Sequence, residues 1–87
     1  MNLRKWASTT PHATNPTERL ILIGIADLGG SGDDDNERMF DADRVAEYAM
    51  TDEARVFLFL CSLFTQQVVG SLSQNDDGSM LTVVFRR

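Results

Sequence analysis

The segment that most constrains the fold is residues 51–67, TDEARVFLFLCSLFTQQ, because it has helical spacing and is apolar almost all the way round. At about 100° per residue, Val56, Leu60 and Leu63 share one face and form a stripe that belongs in a core. Phe57 extends the apolar arc beyond what three small helices can cover. We therefore predict a helix that is buried on more than one side.

A second helix precedes this one across a tight turn. Asp41 stands where an N-cap is expected, and Phe40 and Val45 have the spacing of a hydrophobic staple around it. These signals predict a short helix over 42–49, and Thr51 is expected to cap the helix that follows. Two helices joined by a turn of three or four residues are the signature of a helix-turn-helix.

The chain divides into an arm and one domain. Residues 1–15 are predicted to be an N-terminal arm, from which Trp6 packs back onto the core, and residues 16–87 form a single domain. The motif NPTE at 15–18 is a strong helix start, with a cap, a proline in the first turn and an acidic residue that closes a capping box. The helix runs through LILIGIADL and stops at Gly29.

Strands and loops account for the rest of the chain. GGSGDDDNE at 29–37 is expected to be a flexible, solvated acidic loop, and residues 38–40 a very short strand. Residues 68–74 and 80–87 read as two strands of a hairpin, with Gly78 available for a positive φ. The predicted class is mainly α with a small β-hairpin (α+β), in the order α-β-α-α-β-β.

Two stretches, ERLILIGIADLGG at 18–30 and DADRVAEYAMTDEARVFLFLCSLFTQQVVG at 41–70, resemble the winged helix-turn-helix domains of phage, plasmid and actinobacterial regulators and replication proteins. The stripe of the third helix falls on that family's core positions. The resemblance implies a small DNA-binding transcriptional or replication regulator that acts as a homodimer. It also implies that the third helix reads double-stranded DNA and that the hairpin is the wing.

Under this hypothesis Arg55, Ser62 and Thr65 face the major groove, because they lie opposite the core stripe. Wings and terminal arms of such domains contact phosphates and the minor groove. The basic residues expected to make these contacts are Arg44, Arg86, Arg87, Arg4 and Lys5.

Other features favour a winged helix that no longer binds DNA and acts as an acidic protein–protein interaction module. The net charge is −5, and Asp52 and Glu53 occupy a helix start where the family often carries Ser, Arg or Lys. Two carboxylates there would repel the DNA backbone. Phe57 packs under the wing or arm, contacts a second copy or another protein, or lines a small-ligand pocket. The candidate interface residues are Phe57, Leu58, Cys61 and Phe64.

No enzyme, cofactor or metal site is expected. His12 is the only histidine and lies in the arm, and Cys61 is expected to be a buried, inert thiol. The run DDDNE at 33–37 lacks the ligand spacing of a calcium loop. No stretch reaches the roughly 20 apolar residues of a membrane span. The single cysteine and the absence of a secretory signal pattern favour a cytoplasmic location.

Overall fold

The computed structural model describes residues 2–31 and 34–87. In these ranges four helices pack against one antiparallel sheet. The sheet has three longer strands and, at one edge, a strand of two residues, and its strand order is β1-β2-β4-β3. The α+β class predicted from the sequence is confirmed. The elements are α1 (Leu3–Thr9), α2 (Pro16–Leu28), β1 (Gly30–Ser31), β2 (Glu37–Phe40), α3 (Ala42–Tyr48), α4 (Glu53–Thr65), β3 (Val69–Gln74) and β4 (Leu81–Phe85).

A sharp corner separates α3 from α4. The cap of α4 is Asp52, whose side chain accepts a hydrogen bond from the Arg55 N–H at 2.8 Å, so the expectation that Thr51 caps this helix was wrong by one residue. Met50 takes a left-handed φ of 56°, and the Thr51 N–H donates to the Ala46 carbonyl at 2.9 Å. This pattern closes the last turn of α3 and reverses the chain.

The core lies between α2, α3, α4 and the sheet. Val56, Leu60 and Leu63 of α4 have no exposed surface, as their spacing predicted. They belong to one hydrophobic cluster with Val45 of α3 and Ile21 of α2. A stripe of this kind drives the docking of a short helix, since each fully buried aliphatic side chain contributes about 1.5–3 kcal/mol.

The central strand of the sheet is β4, with β2 on one side and β3 on the other. Its side chains alternate between buried and half-buried, and Leu81, Val83 and Phe85 face the core. The β3–β4 hairpin turns at Gly78, whose φ of 75° confirms the positive value that the sequence predicted. The turn therefore uses the conformation that glycine adopts without steric cost.

Residues 3–9, which were predicted to belong to an N-terminal arm over 1–15, form the helix α1. The Asn2 side chain accepts a hydrogen bond from the Lys5 N–H and caps the helix, and Leu3 and Ala7 are buried. The Trp6 ring packs onto the core as expected, at 5.3 Å between centroids from Phe85. Seven residues are too few for a helical pattern to stand out in the sequence, which explains why it was missed.

Replacing Leu22, which is 1% exposed on the inner face of α2, with alanine is expected to lower the free energy of unfolding by about 2–5 kcal/mol. The same change at Leu28 of the same helix, which is 46% exposed, should cost less than about 1 kcal/mol. Urea titration followed by circular dichroism measures both values. Equal losses would show that α2 does not bury the face described above.

Candidate functional site

One side of α4 presents four apolar side chains to solvent. Phe57 is 46%, Leu58 65% and Phe64 52% exposed, and Cys61 is partly exposed between them. The expectation that Cys61 is a buried thiol was therefore wrong, since it is only partly buried. Residues at i, i+4 and i+7 fall on one side of a helix, which brings Phe57, Cys61 and Phe64 into one stripe. We call these four residues the α4 apolar surface.

The β-hairpin covers only one edge of this surface. Phe57 lines a shallow cavity of about 220 Å³ together with Leu72, Gln74 and Leu81. Nearly half of the Phe57 surface nevertheless stays in contact with solvent. The hairpin thus covers part of the Phe57 ring. The rest of the α4 apolar surface is not covered by any of the described residues.

Negative charge is concentrated at the amino end of the same surface. The pKa of Glu53 is raised above its ordinary value, first through hydrogen bonding with the Asp43 side chain and then by the negative charges of Asp43 and Asp41. Glu53 also lines a cavity with Phe57, which places the charge directly beside the apolar side chains. A phosphate would be repelled at this end of α4, and a cation would be attracted.

Positive charge borders the opposite end. Arg86 lines a cavity of about 430 Å³ with Phe64 and Thr65, at the carboxyl end of α4. Its side chain crosses Gly70 so closely that a Cβ added there would lie 2.7 Å from the Arg86 Nε. Within the described residues the guanidinium makes no ion pair. The α4 apolar surface therefore runs from an acidic end to a basic end.

The three residues of α4 that were expected to face the major groove are all exposed. The Thr65 hydroxyl donates to the Cys61 carbonyl at 3.1 Å, and the Ser62 hydroxyl accepts from the Gln66 side-chain amide at 3.1 Å. Both hydroxyls are thus engaged with α4 or its C-cap residue Gln66. Arg55 makes no side-chain ion pair within the described residues and is the one cation on the exposed side of this helix.

Two of the remaining predicted phosphate contacts are engaged with carboxylates. Arg4 pairs with Asp27 at 2.9 Å. Arg87 pairs with Asp35 at 2.7 Å and donates to the Asn36 side chain. Charges that are already paired attract phosphates less strongly.

The last two predicted contacts lie on other parts of the molecule. Arg44 lines a cavity with Met39 and Thr82, and that cavity shares no residue with the one beside Arg86. Lys5 is exposed on α1. Of the five predicted phosphate contacts, Arg86 lines a cavity with residues of α4, whereas Arg4 and Lys5 lie on α1 and Arg44 lies on α3.

Asp35 is a residue whose importance the sequence did not show. Its carboxylate accepts hydrogen bonds from the Leu3 N–H at 2.9 Å and from Arg38 at 3.1 Å, in addition to the pair with Arg87. The acidic side chains Asp34 and Asp35 are exposed, as predicted, but the expectation of a flexible loop over all of 29–37 was wrong, because Gly30–Ser31 form β1, Glu37 begins β2 and Asp35 is anchored. Residues 32 and 33 of that loop lie outside the described residues.

A scan against protein-family models, a search of curated proteins and a search of solved structures each found no match. In the described part of the chain no helix has the length and apolar character needed to cross a bilayer. Residues 2–31 and 34–87 also hold no group of three or more His, Cys, Asp or Glu side chains placed to bind a metal. The geometry of α4 and its surroundings is therefore the basis for assigning a function.

The Asp35→Asn variant is expected to be less stable than the wild type near neutral pH. The Arg38 guanidinium and the Leu3 N–H hold the pKa of Asp35 below its ordinary value. A lowered carboxyl pKa contributes stability that is present above the unfolded-state pKa and is lost as the pH falls. The difference between variant and wild type should therefore shrink from about pH 7 to about pH 3, as measured by urea unfolding at both values.

The matched control is Asp76→Asn at the exposed hairpin tip, which should change stability little at either pH. An Asp35→Asn deficit that is the same at both pH values would contradict the role assigned to the Asp35 charge.

Proposed function

We propose that this chain is a winged helix that acts as a protein-interaction module through the α4 apolar surface. The order α2, β2, α3, α4, β3, β4, with β2 paired to β4 and a hairpin after the helix pair, supports the winged-helix assignment. The proposed role is non-enzymatic. The cytoplasmic location expected from the single cysteine belongs to the same proposal.

The observation that carries this proposal is the chemistry of the exposed side of α4. In a winged helix this is the side of the recognition helix that enters the major groove. Base edges are recognised there by hydrogen bonds from polar and charged side chains. In this chain Phe57, Leu58 and Phe64 are 46–65% exposed on that side, and apolar exposure of this kind marks a protein interface.

The charges near α4 support the same conclusion. Asp41 and Asp52 cap α3 and α4, and Asp43 and Glu53 occupy their first turns. Because the two helices start close together, their carboxylates form one acidic region at the end of the helix that would approach DNA. Phosphate binding would need cations at the amino end of α4, and the chain as a whole has more acidic than basic residues, with a net charge of −5.

A second candidate function is DNA binding, as a homodimeric transcriptional or replication regulator. The observation that favours it is the position of Arg55, which is exposed on α4 without an ion pair among the described residues. Ser62 lies two turns further along the same side of the helix. In this alternative Arg55 and Ser62 contact base edges, and Arg86 contacts phosphates beyond the end of α4.

Site-specific photocrosslinking in the cells that express the chain tests the first proposal. A photoreactive residue at position 58, which is 65% exposed, should form a covalent adduct with a protein when irradiated. The same residue at position 11, exposed between α1 and α2, is the control and should form none. Mass spectrometry identifies the adduct. Adducts with nucleic acid alone, or none at position 58, would contradict the proposal.

Fluorescence anisotropy with labelled genomic DNA fragments at two salt concentrations separates the two candidates. The first predicts no salt-dependent binding at micromolar protein. The second predicts affinity that falls steeply as salt rises, because phosphate contacts release counterions. In that case Arg55→Ala should weaken binding, whereas Glu47→Ala, an exposed change on α3, should not. Salt-dependent binding that Arg55→Ala abolishes would replace the first proposal with the second.

A further inference from the structure

The two ends of the α4 apolar surface carry opposite charges, and this arrangement bears on what covers it. Glu53, with Asp43 beside it, borders the surface next to Phe57. Arg86 borders it at the other end, next to Phe64. A partner that fits must therefore present apolar side chains, with a basic group facing Glu53 at one end and an acidic group facing Arg86 at the other.

We propose that this partner is a second copy of the same chain, with its α4 packed antiparallel to the first across a two-fold axis that passes near Leu58 and Cys61. The inference rests on the proposed function and names the partner of the same surface. In this pairing both copies use the same surface, and that surface is complementary to itself, as a closed two-fold dimer requires.

The antiparallel direction follows from the charges. In that arrangement Arg86 of each copy lies against Glu53 and Asp43 of the other, and the contact occurs twice. A parallel pair would instead bring the two acidic ends together and the two Arg86 side chains together, at an electrostatic cost. The acidic end of this surface repels itself, since neighbouring carboxylates raise the pKa of Glu53, and an opposing guanidinium would relieve that repulsion.

The dimensions of α4 fit this register. Glu53 and Thr65 are about 18 Å apart along the axis, at 1.5 Å per residue, so two such helices overlap fully when they are centred at Phe59. Phe64 of one copy then lies over Ala54 of the other, and the small alanine leaves room for the ring. Ala54 is exposed and stands at the amino end of the same side of α4.

The size of a standard interface can be compared with the surface of the chain. A standard protein–protein interface takes about 800 Å² from each partner. That is about a sixth of the 5060 Å² surface of this chain. The exposed parts of the α4 apolar surface would supply the apolar centre of such a patch. The two Arg86–Glu53 contacts would form its rim, where charges determine orientation more than affinity.

Exchanging the charges provides the decisive test. The wild type should sediment as a dimer with twice the 9.7 kDa mass of the chain. Arg86→Glu and Glu53→Arg should each sediment as monomers, because each places like charges opposite one another in both contacts. An equimolar mixture of the two variants should form dimers again, because both contacts then join Glu to Arg. Arg44→Glu, on a different part of the surface, is the matched control and should remain dimeric.

The native Cys61 supplies a second measurement on the same samples. It is the only cysteine and lies near the proposed axis, so a short bis-maleimide should link two copies in the wild type. The link should be absent in either single variant and in Cys61→Ser, and it should return in the mixture. Because the mixture contains both altered chains, its recovery also shows that they fold.

A monomeric wild type, dimers in both single variants, or a mixture that does not recover dimers would each overturn the antiparallel pairing. These results are distinct from failure of the proposed function. If position 58 crosslinks to a different protein while the wild type is monomeric, α4 is a protein interface and only the identity of the partner is wrong. If position 58 forms no protein adduct at all, both proposals fall.

Discussion

Burial of the aliphatic stripe of α4 is the constraint on which the rest of the structure depends. Val56, Leu60 and Leu63 have no exposed surface, and they join α4 to α3, to α2 and to the sheet. Because α4 is buried on only one side, its remaining apolar residues must face outward. The exposed positions of Phe57 and Phe64 are therefore a direct consequence of how the core is packed.

The acidic residues near α4 have a structural reason that is independent of function. Asp41 and Asp52 cap two consecutive helices through side-chain hydrogen bonds to backbone N–H groups. Carboxylates in the first turn of a helix also interact favourably with the helix dipole. The same groups repel phosphates, so the carboxylates that stabilise the helix pair also disfavour phosphate binding at the amino end of α4.

The N-terminal helix and the C-terminal residue are held by one carboxylate. Asp35 contacts the backbone of Leu3, the side chain of Arg38 and the side chain of Arg87. It connects α1 to β2 and to the end of β4, parts of the chain that are far apart in sequence. Arg87, a residue expected to contact phosphates, is thereby engaged within the protein. In the described structure Arg87 therefore contributes to an ion pair within the protein.

Local signals in the sequence were sufficient to place α2, α3, α4 and the β3–β4 hairpin, because caps, helical spacing and a glycine turn act over a few residues. They also selected the α4 apolar surface, since which side chains share a helix face depends only on their spacing. They did not reveal α1, which is too short to show a pattern, or β1, which exists because Gly30 pairs with Met39. The cap of α4 was misplaced by one residue, because Thr51 and Asp52 are both good caps.

The ionic partners of the arginines could not be found from the sequence. Asp35 and Arg87 are 52 positions apart, and the strands and helices between them decide that they meet. The opposite charges at the two ends of the α4 apolar surface likewise come from separate segments, since Asp43 lies on α3 and Arg86 follows β4. Periodicity and capping determined which elements form and which face of α4 is apolar. Only the tertiary packing decided which charges border that face, because electrostatic contacts depend on distance in space.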